Sequence, residues 1–380
     1  MKMSTRGAVT PFHALEVLKA ANAAAASGRS VLHMEVGEPM AGAPAAVRRA
    51  AARALDETHL GYTEALGLPA LRERIAVFYR ERHDIEVAAE RVVVTTGSSG
   101  AFLLSFLAAF DAGDRVVLAA PTYPAYRNIL TALDIDPVIV PTGRESRYQP
   151  SPAHLDSIEG RIDGLLVASP ANPTGSMLGR EALKGLIAYC ADRRVRFISD
   201  EIYHGITYGQ KAETALAFGD DAIIINSFSK YFCMTGWRLG WMIVPQDLVR
   251  SAERLAQNLF ISPPALSQYA ALHAFDCGAE LDENVARYAR NRAHLLCELP
   301  AAGFTRLAPS DGAFYLFADV SHLTNDSDEF CRRMLEQTGV ATAPGIDFDS
   351  ETGHRFMRFS FAGHTEDVVE AATRLRGWLA

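Results

Sequence analysis

The sequence is short of cysteine, has no long apolar run and carries no surplus of basic residues, and each shortage removes a class of protein. Five cysteines among 380 residues (Cys190, Cys233, Cys277, Cys297 and Cys331) are odd in number and widely spaced. Neither a disulfide framework nor a zinc site fits that spacing, so reduced thiols in a cytosol are expected. The longest apolar stretches, such as Ala101–Phe110, are about half the ~20 residues a membrane span requires. Met1–Arg6 leads into a polar segment with Pro11 rather than an apolar core, so no secretory leader is expected. Acidic residues outnumber basic ones, 45 to 37, and the net charge of −8 argues against nucleic acid as the main partner. An anionic ligand would need a local basic site. With 49% hydrophobic and 22% charged residues, the chain is neither disordered nor collagen-like nor a coiled coil.

What is present is a grammar of short β-rich runs alternating with helical ones, in a chain long enough for two domains or one large α/β domain with an appendage. The opening reads as a helix over Pro11–Ala26, capped by Thr10, with Phe12, Leu15 and Leu18 on one face and Ser27-Gly28 as its stop. The stretch Ala20–Gly42, rich in Ala and Gly, suits an arm; within it an apolar segment, Val31–Val36, runs into the turn-forming Gly37-Glu38-Pro39. Candidate strands follow at Arg91–Thr96, Arg115–Ala120, Pro137–Val140, Gly164–Ser169, Val195–Ser199, Ile223–Ser227 and Trp241–Val244. Most are near-continuous Val, Ile and Leu, as expected when both sheet faces are buried. Helical stretches such as Ala101–Ala112 and Arg180–Arg193 lie between them, which predicts a doubly wound, mostly parallel sheet. After about Pro263 the texture changes to helical patterns (Leu266–Phe275, Leu281–Leu299, Asp328–Gln337, Thr365–Leu379) with short strands at Ala313–Phe317 and Arg355–Phe359, a smaller α+β unit. There is no internal repeat, low-complexity linker or charge block.

Ligands of an open parallel sheet collect outside the carboxyl ends of its strands, so the residues following each strand deserve a chemical reading. Gly97-Ser98-Ser99-Gly100 puts small residues and two hydroxyls before a helix, a ready anion site and equally an ordinary capping turn. Pro170-Ala171-Asn172-Pro173-Thr174-Gly175 holds an Asn between two prolines, which stiffens the backbone around its amide or makes a plain turn. Asp200 closes an apolar strand, where a carboxylate needs a cation or donor unless it caps a helix. Lys230 stands among Ser229, Tyr231, Phe232 and Cys233. Burial in such company lowers an ammonium pKa and frees a nucleophilic amine, whereas a surface lysine would snorkel. Taken together, a nucleophilic Lys, a buried Asp, phosphate-binding hydroxyls with an Arg and an aromatic plate are the requirements of pyridoxal 5′-phosphate.

The run Ser227-x-Ser229-Lys230-x-Phe232-x-Met234-x-Gly236-x-Arg238-x-Gly240 resembles that of fold-type I pyridoxal-phosphate enzymes of the class I/II aminotransferase family. Supporting motifs stand in the family's order: Gly37-Glu38-Pro39, Tyr62-Thr63 with Gly67 and Leu71-Arg72, Pro121-Thr122-Tyr123-Pro124, Asn172-Pro173-Thr174-Gly175, Asp200-Glu201-Ile202-Tyr203 and Arg358. The likeness runs from about Val36 to Ala362. It implies a three-layer α/β fold, with a large domain over 46–276 built on a mostly parallel seven-stranded sheet, and an N-terminal arm and small α+β domain from 1–45 and 277–380. It also implies an amino group exchanged between an L-amino acid and a 2-oxo acid by a ping-pong cycle, in a cytoplasmic homodimer with shared active sites and no metal.

By that resemblance, Lys230 carries the cofactor and moves the proton at the substrate α-carbon. Asp200 pairs with the ring nitrogen, Asn172 and Tyr203 bond the ring hydroxyl, and Tyr123 stacks on the ring. Ser98, Ser99, Ser227, Ser229 and Arg238 surround the phosphate, Ser229 being equally suited to orient Lys230. Tyr62 reaches the phosphate in the neighbouring subunit. Arg358 grips the substrate carboxylate with help from Asn172 and a backbone N–H of Gly37. β-Lyases and aminocyclopropane-carboxylate synthases share these residues and are the alternative chemistry. Met40-Ala41-Gly42 and Asp347 depart from the family pattern near the substrate. Ser99 occupies a position where some aspartate-using relatives carry a base, which leans away from a strict dicarboxylate substrate. Phe12, Met40 and Tyr62 are candidates for an apolar side-chain pocket, with Phe12 equally suited to anchor the first helix. A DNA-binding regulator built on the same fold is not expected, given the acidic balance and the short segment before Gly37.

Overall fold

In the computed structural model, which describes residues 2–379, the apolar runs become the strands of two sheets. In chain order the elements are α1 (His13–Ala26), β1 (Leu32–Met34), α2 (Ala45–Glu57), α3 (Pro69–His83), β2 (Val92–Thr95), α4 (Gly97–Ala109), β3 (Arg115–Ala120), α5 (Pro124–Ala132), β4 (Asp136–Pro141), α6 (Pro152–Asp156), β5 (Gly164–Ala168), α7 (Arg180–Arg193), β6 (Arg196–Asp200), β7 (Ile223–Ser227) and β8 (Gly240–Ile243). There follow α8 (Val249–Leu259), α9 (Ala265–Ala271), α10 (Gly278–Ala301), β9 (Arg306–Leu307), β10 (Tyr315–Asp319), α11 (Ser327–Thr338), β11 (Val340–Pro344), β12 (Phe356–Ser360) and α12 (Thr365–Leu379).

The larger sheet has seven strands in the order β2-β8-β7-β6-β5-β3-β4. All its pairings are parallel except those of β8, which runs antiparallel to both β2 and β7. Helices cover both faces, and Val116, Val117, Leu118, Ile223, Ile224 and Ile225 are wholly buried, which is why these strands read as unbroken apolar runs. The carboxyl ends of β5, β6 and β7 therefore open side by side. The smaller sheet, β1-β11-β12-β10-β9, joins the two ends of the chain, with β1 parallel to β11 and the other pairs antiparallel.

Four local expectations are corrected. α1 begins at His13, not Pro11, and Thr10 does not cap it; Thr10 lies too far outside the first turn to reach the free N–H groups. Asp347, from the far end of the chain, accepts from His13 N and Ala14 N at 2.7 Å each. Gly97–Gly100 is the first turn of α4 rather than a loop before it, because Gly97 at φ +74° reverses the chain within one residue. Ala20–Gly42 is divided between the end of α1 and β1 instead of forming one arm. The pattern over Leu266–Phe275 breaks after Ala271 into a short 3-10 turn at Ala274–Asp276. Among the described residues no helix is long and apolar enough to cross a membrane.

Candidate active site

A cavity of about 220 Å³ opens where β5, β6 and β7 end, between the two sheets. Lys230 follows β7 by three residues and extends into it, its Nζ donating to the carbonyl of Gly37 at 2.6 Å. Burial, and then the guanidinium of Arg358, lower the Lys230 pKa to about 8. In this contact Gly37 uses its carbonyl. A Cβ at Gly37 would overlap the Tyr315 hydroxyl, so glycine is required for this close approach.

Asp200 closes β6 with a carboxylate that is almost fully buried. Its Oδ2 accepts from the Tyr126 hydroxyl and its Oδ1 from Ile202 N at 3.0 Å, and no helix follows, so helix capping is not its role. Burial raises its pKa to about 6. Tyr126 was not singled out from sequence. Its signal is the spacing Tyr123-x-x-Tyr126 across the first turn of α5, which turns both rings toward the cavity.

Opposite lies an anion cradle. Ser98 and Ser99 occupy the N-terminal turn of α4, where unpaired N–H groups and the helix dipole favour negative charge. Arg238, in the left-handed region at φ +50°, rests its guanidinium against the bare Gly97, where a Cβ would come within 2.5 Å of Nη2. Ser229 lines the cavity; Ser227 stands behind it, donating to Ser229 Oγ at 2.9 Å. Gly240 brings β8 so close that a Cβ would meet Asn226 O, Gly97 C and Ser98 N, each at 2.9 Å.

The third corner belongs to the small sheet. Arg358 on β12 is 2% exposed, donates from Nη1 to Asn172 Oδ1 at 2.8 Å and from Nη2 to the carbonyl of Glu35, and has a buried Nε without a partner. Tyr315 and Phe348 lie against its guanidinium at 4.4 and 4.8 Å. Tyr203 and Tyr315 share a hydrogen bond of 2.7 Å. Tyr315, Phe348 and Glu35 escaped the sequence reading because only the small sheet brings them here. Phe12 lines the cavity edge-on to Tyr123, their centroids 5.9 Å apart. Met40 and Tyr62 are on the surface, so of the three suggested pocket residues only Phe12 reaches this chain's cavity.

Behind Asp200 lies a second buried carboxylate. Glu201 Oε1 accepts from Ser199, Thr214 and Ala215 N, while Oε2 faces His204 Nδ1 at 3.4 Å. His204 Nε2 lies 3.0 Å from the Ser169 carbonyl, which only accepts, so the ring proton is on Nε2. Two acceptors would then face each other at Nδ1 and Oε2 unless a proton sits between them. Burial raises Glu201 to about 7 and lowers His204 to about 4, which leaves that proton on Glu201. The pair ties the Asn172 loop to the end of β6.

The family model for "Aminotransferase class I and II" matches residues 29–375. The chain is 49% identical over 382 residues to a valine–pyruvate aminotransferase of Mycobacterium tuberculosis, covering all of this chain and 98% of that protein. Its structure superposes on the crystal structure of an aminotransferase from Mycobacterium tuberculosis with a TM-score of 0.98 at 49% identity, covering 100% and 99% of the two chains. It superposes on the aspartate aminotransferase of Thermus thermophilus with maleate with a TM-score of 0.94 at 30% identity, covering 99% of both chains.

Proposed function

The chain belongs to the class I and II aminotransferases, and we propose that it exchanges the amino group of a small apolar L-amino acid with pyruvate, using pyridoxal 5′-phosphate held at Lys230. The donor set fits that cofactor. The lowered amine of Lys230 and the α4 cradle line one cavity, the buried acid Asp200 lies just behind its Tyr126 wall, and the Nε of Arg358 is buried without a partner. The cofactor supplies an aldehyde that carries the amino group between half-reactions and a ring that accepts electrons.

Lys230, neutral in an appreciable fraction near pH 8, would hold the cofactor through its amine and would serve as the base for the proton at the substrate α-carbon. Asp200, oriented by the Tyr126 hydroxyl, would be the acid that pairs with the ring nitrogen. Asn172, Tyr203 and Tyr123 line the same cavity, where Asn172 and Tyr203 would bond the ring hydroxyl and Tyr123 would stack on the ring. Ser98, Ser99, Ser229 and Arg238 take the phosphate, with Ser227 orienting Ser229. Arg358 offers its planar fork to the α-carboxylate, a geometry that lysine lacks. Tyr62, 83% exposed, would be placed to reach the phosphate of a second copy in a homodimer. Five unpaired cysteines suit a cytosolic setting.

The observation that carries the reading is Lys230 extending into a cavity that Arg358 and Tyr126 also line, with Asp200 held behind Tyr126 by its hydroxyl. For the side chain, the support is in the lining. The basic residues there are Lys230, Arg238 and Arg358, each already assigned, so no cation is left for a second carboxylate, while Phe12, Leu15 and Ile202 are apolar. The valine–pyruvate relative points the same way. In half-reactions of the holoenzyme, valine and alanine should shift the absorbance of bound cofactor faster than aspartate does, and pyruvate should restore it. Lys230→Ala should abolish borohydride-stable labelling. Aspartate outrunning valine would overturn the substrate, and label on another residue would overturn the site.

A further inference from the structure

Asp347 takes no part in the chemistry described so far. Its carboxylate is 2% exposed, yet its two oxygens are spent on the first two N–H groups of α1, His13 N and Ala14 N, at 2.7 Å each. α1 has no cap of its own, because its N-cap residue is Phe12, whose side chain offers no acceptor. A carboxylate accepting two N–H groups at a helix N-terminus is favoured by both hydrogen bonding and the helix dipole. The helix so anchored presents Phe12, Ala14 and Leu15 to the cavity.

The same turn touches the other walls. Phe348 lies 4.8 Å from the Arg358 guanidinium, and its carbonyl accepts from Thr122 N at 2.9 Å, beside Tyr123. Residues 347 and 348 therefore set three things in one frame: the carboxylate-gripping arginine, the ring-stacking tyrosine and the Phe12 wall. The distance from a carboxylate anchor to an apolar wall determines which side chain fits between them.

We propose that Asp347 is a positioning residue that sets side-chain selectivity by clamping the start of α1, so that Phe12 and Leu15 wall the cavity at a fixed distance from Arg358. This rests on the reading of the cavity as an amino-acid site. The clamp acts on binding of the side chain and leaves the proton transfer at the α-carbon untouched.

The test uses holoenzyme carrying Asp347→Ala, Asp347→Asn, Phe12→Ala and the Phe12→Ala/Asp347→Ala pair. Single-turnover half-reactions with alanine, valine and leucine give a maximal rate and an apparent Kd for each donor, and amide hydrogen exchange follows segment 12–18. Asp347→Ala should speed exchange in that segment and weaken valine relative to alanine by about tenfold, the scale of a few methyl groups in an apolar pocket, with the change in Kd and not in the maximal rate. Phe12→Ala should reproduce the shift, and the double variant should add nothing to it. Equal losses for all three donors, a change confined to the maximal rate, or full additivity would each overturn the proposal. Asp347→Asn, nearly isosteric and with one acceptor left, should fall between; faster exchange without a change of preference in that variant would also overturn it, whether or not Asp347→Ala folds. Should the enzyme prefer aspartate over valine, the substrate reading fails, while the exchange data and the ratio between any small and large donor still decide the role of Asp347.

Discussion

Lys230 carries an ammonium pressed by enclosure and by the charges of Arg358 and Arg238, with Glu38 and Asp200 opposing. At a pKa of about 8, roughly a tenth of it is neutral at pH 7, against about one part in three thousand for an ordinary lysine. Because the shift is downward, the reactive form gains as pH rises through 8 and is complete soon above it. Loading of the apoprotein with pyridoxal phosphate, followed by absorbance, should accelerate from pH 6.5 to about 8.5 and then level off. A rate that keeps climbing beyond about pH 10 would mark Lys230 as an ordinary surface amine.

Among the elements, β8 is the reversed strand of a parallel sheet, and its first residue sits between two neighbours, paired with Thr95 on one side and Ser227 on the other. Gly240→Ala would drive a methyl group into three backbone atoms of β7 and the first turn of α4, none of which can rotate away. The expected cost is about 1–3 kcal/mol in urea unfolding, together with weaker binding of inorganic phosphate, since the cradle at Ser98 must shift. Unchanged phosphate affinity would separate β8 from the cradle. The strands of this sheet were legible because burial on both faces demands unbroken Val, Ile and Leu, and Arg115–Ala120 and Ile223–Ser227 match residue for residue. β11 was not, because Val340-Ala341-Thr342-Ala343-Pro344 is small and mixed and becomes a strand only by pairing with β1 and β12. The same distance in sequence hid the Asp347 cap and the Tyr315–Arg358 contact, whereas Lys230, Asp200 and Asn172 were visible from their places after strands. Tyr126 was within reach, had the first turn of α5 been read for facing pairs.

For the molecule as a whole, buried acids and buried imidazoles pull stability in opposite directions. Asp200 and Glu201 have native pKa values raised to about 6 and about 7, so the stability they lend is full below their unfolded values and is lost as pH rises through the native ones. His83 and His204 are lowered to about 4, chiefly by burial, so between about 4 and 6.5 the unfolded chain binds more protons and stability rises with pH. The two slopes offset each other. Glu201→Gln removes one falling component, so its urea midpoint should climb more steeply from pH 4.5 to 6.5 than that of the parent; parallel curves would show that Glu201 is ionised throughout. The pairing of Leu32 with Val340 bears on how the enzyme is made. On the ribosome the seven strands up to Ile243 can emerge and assemble with Lys230 and Asp200 in place, while β1 waits for a mate encoded about three hundred codons downstream. A nascent chain released before Phe356 would thus hold the lysine without its arginine.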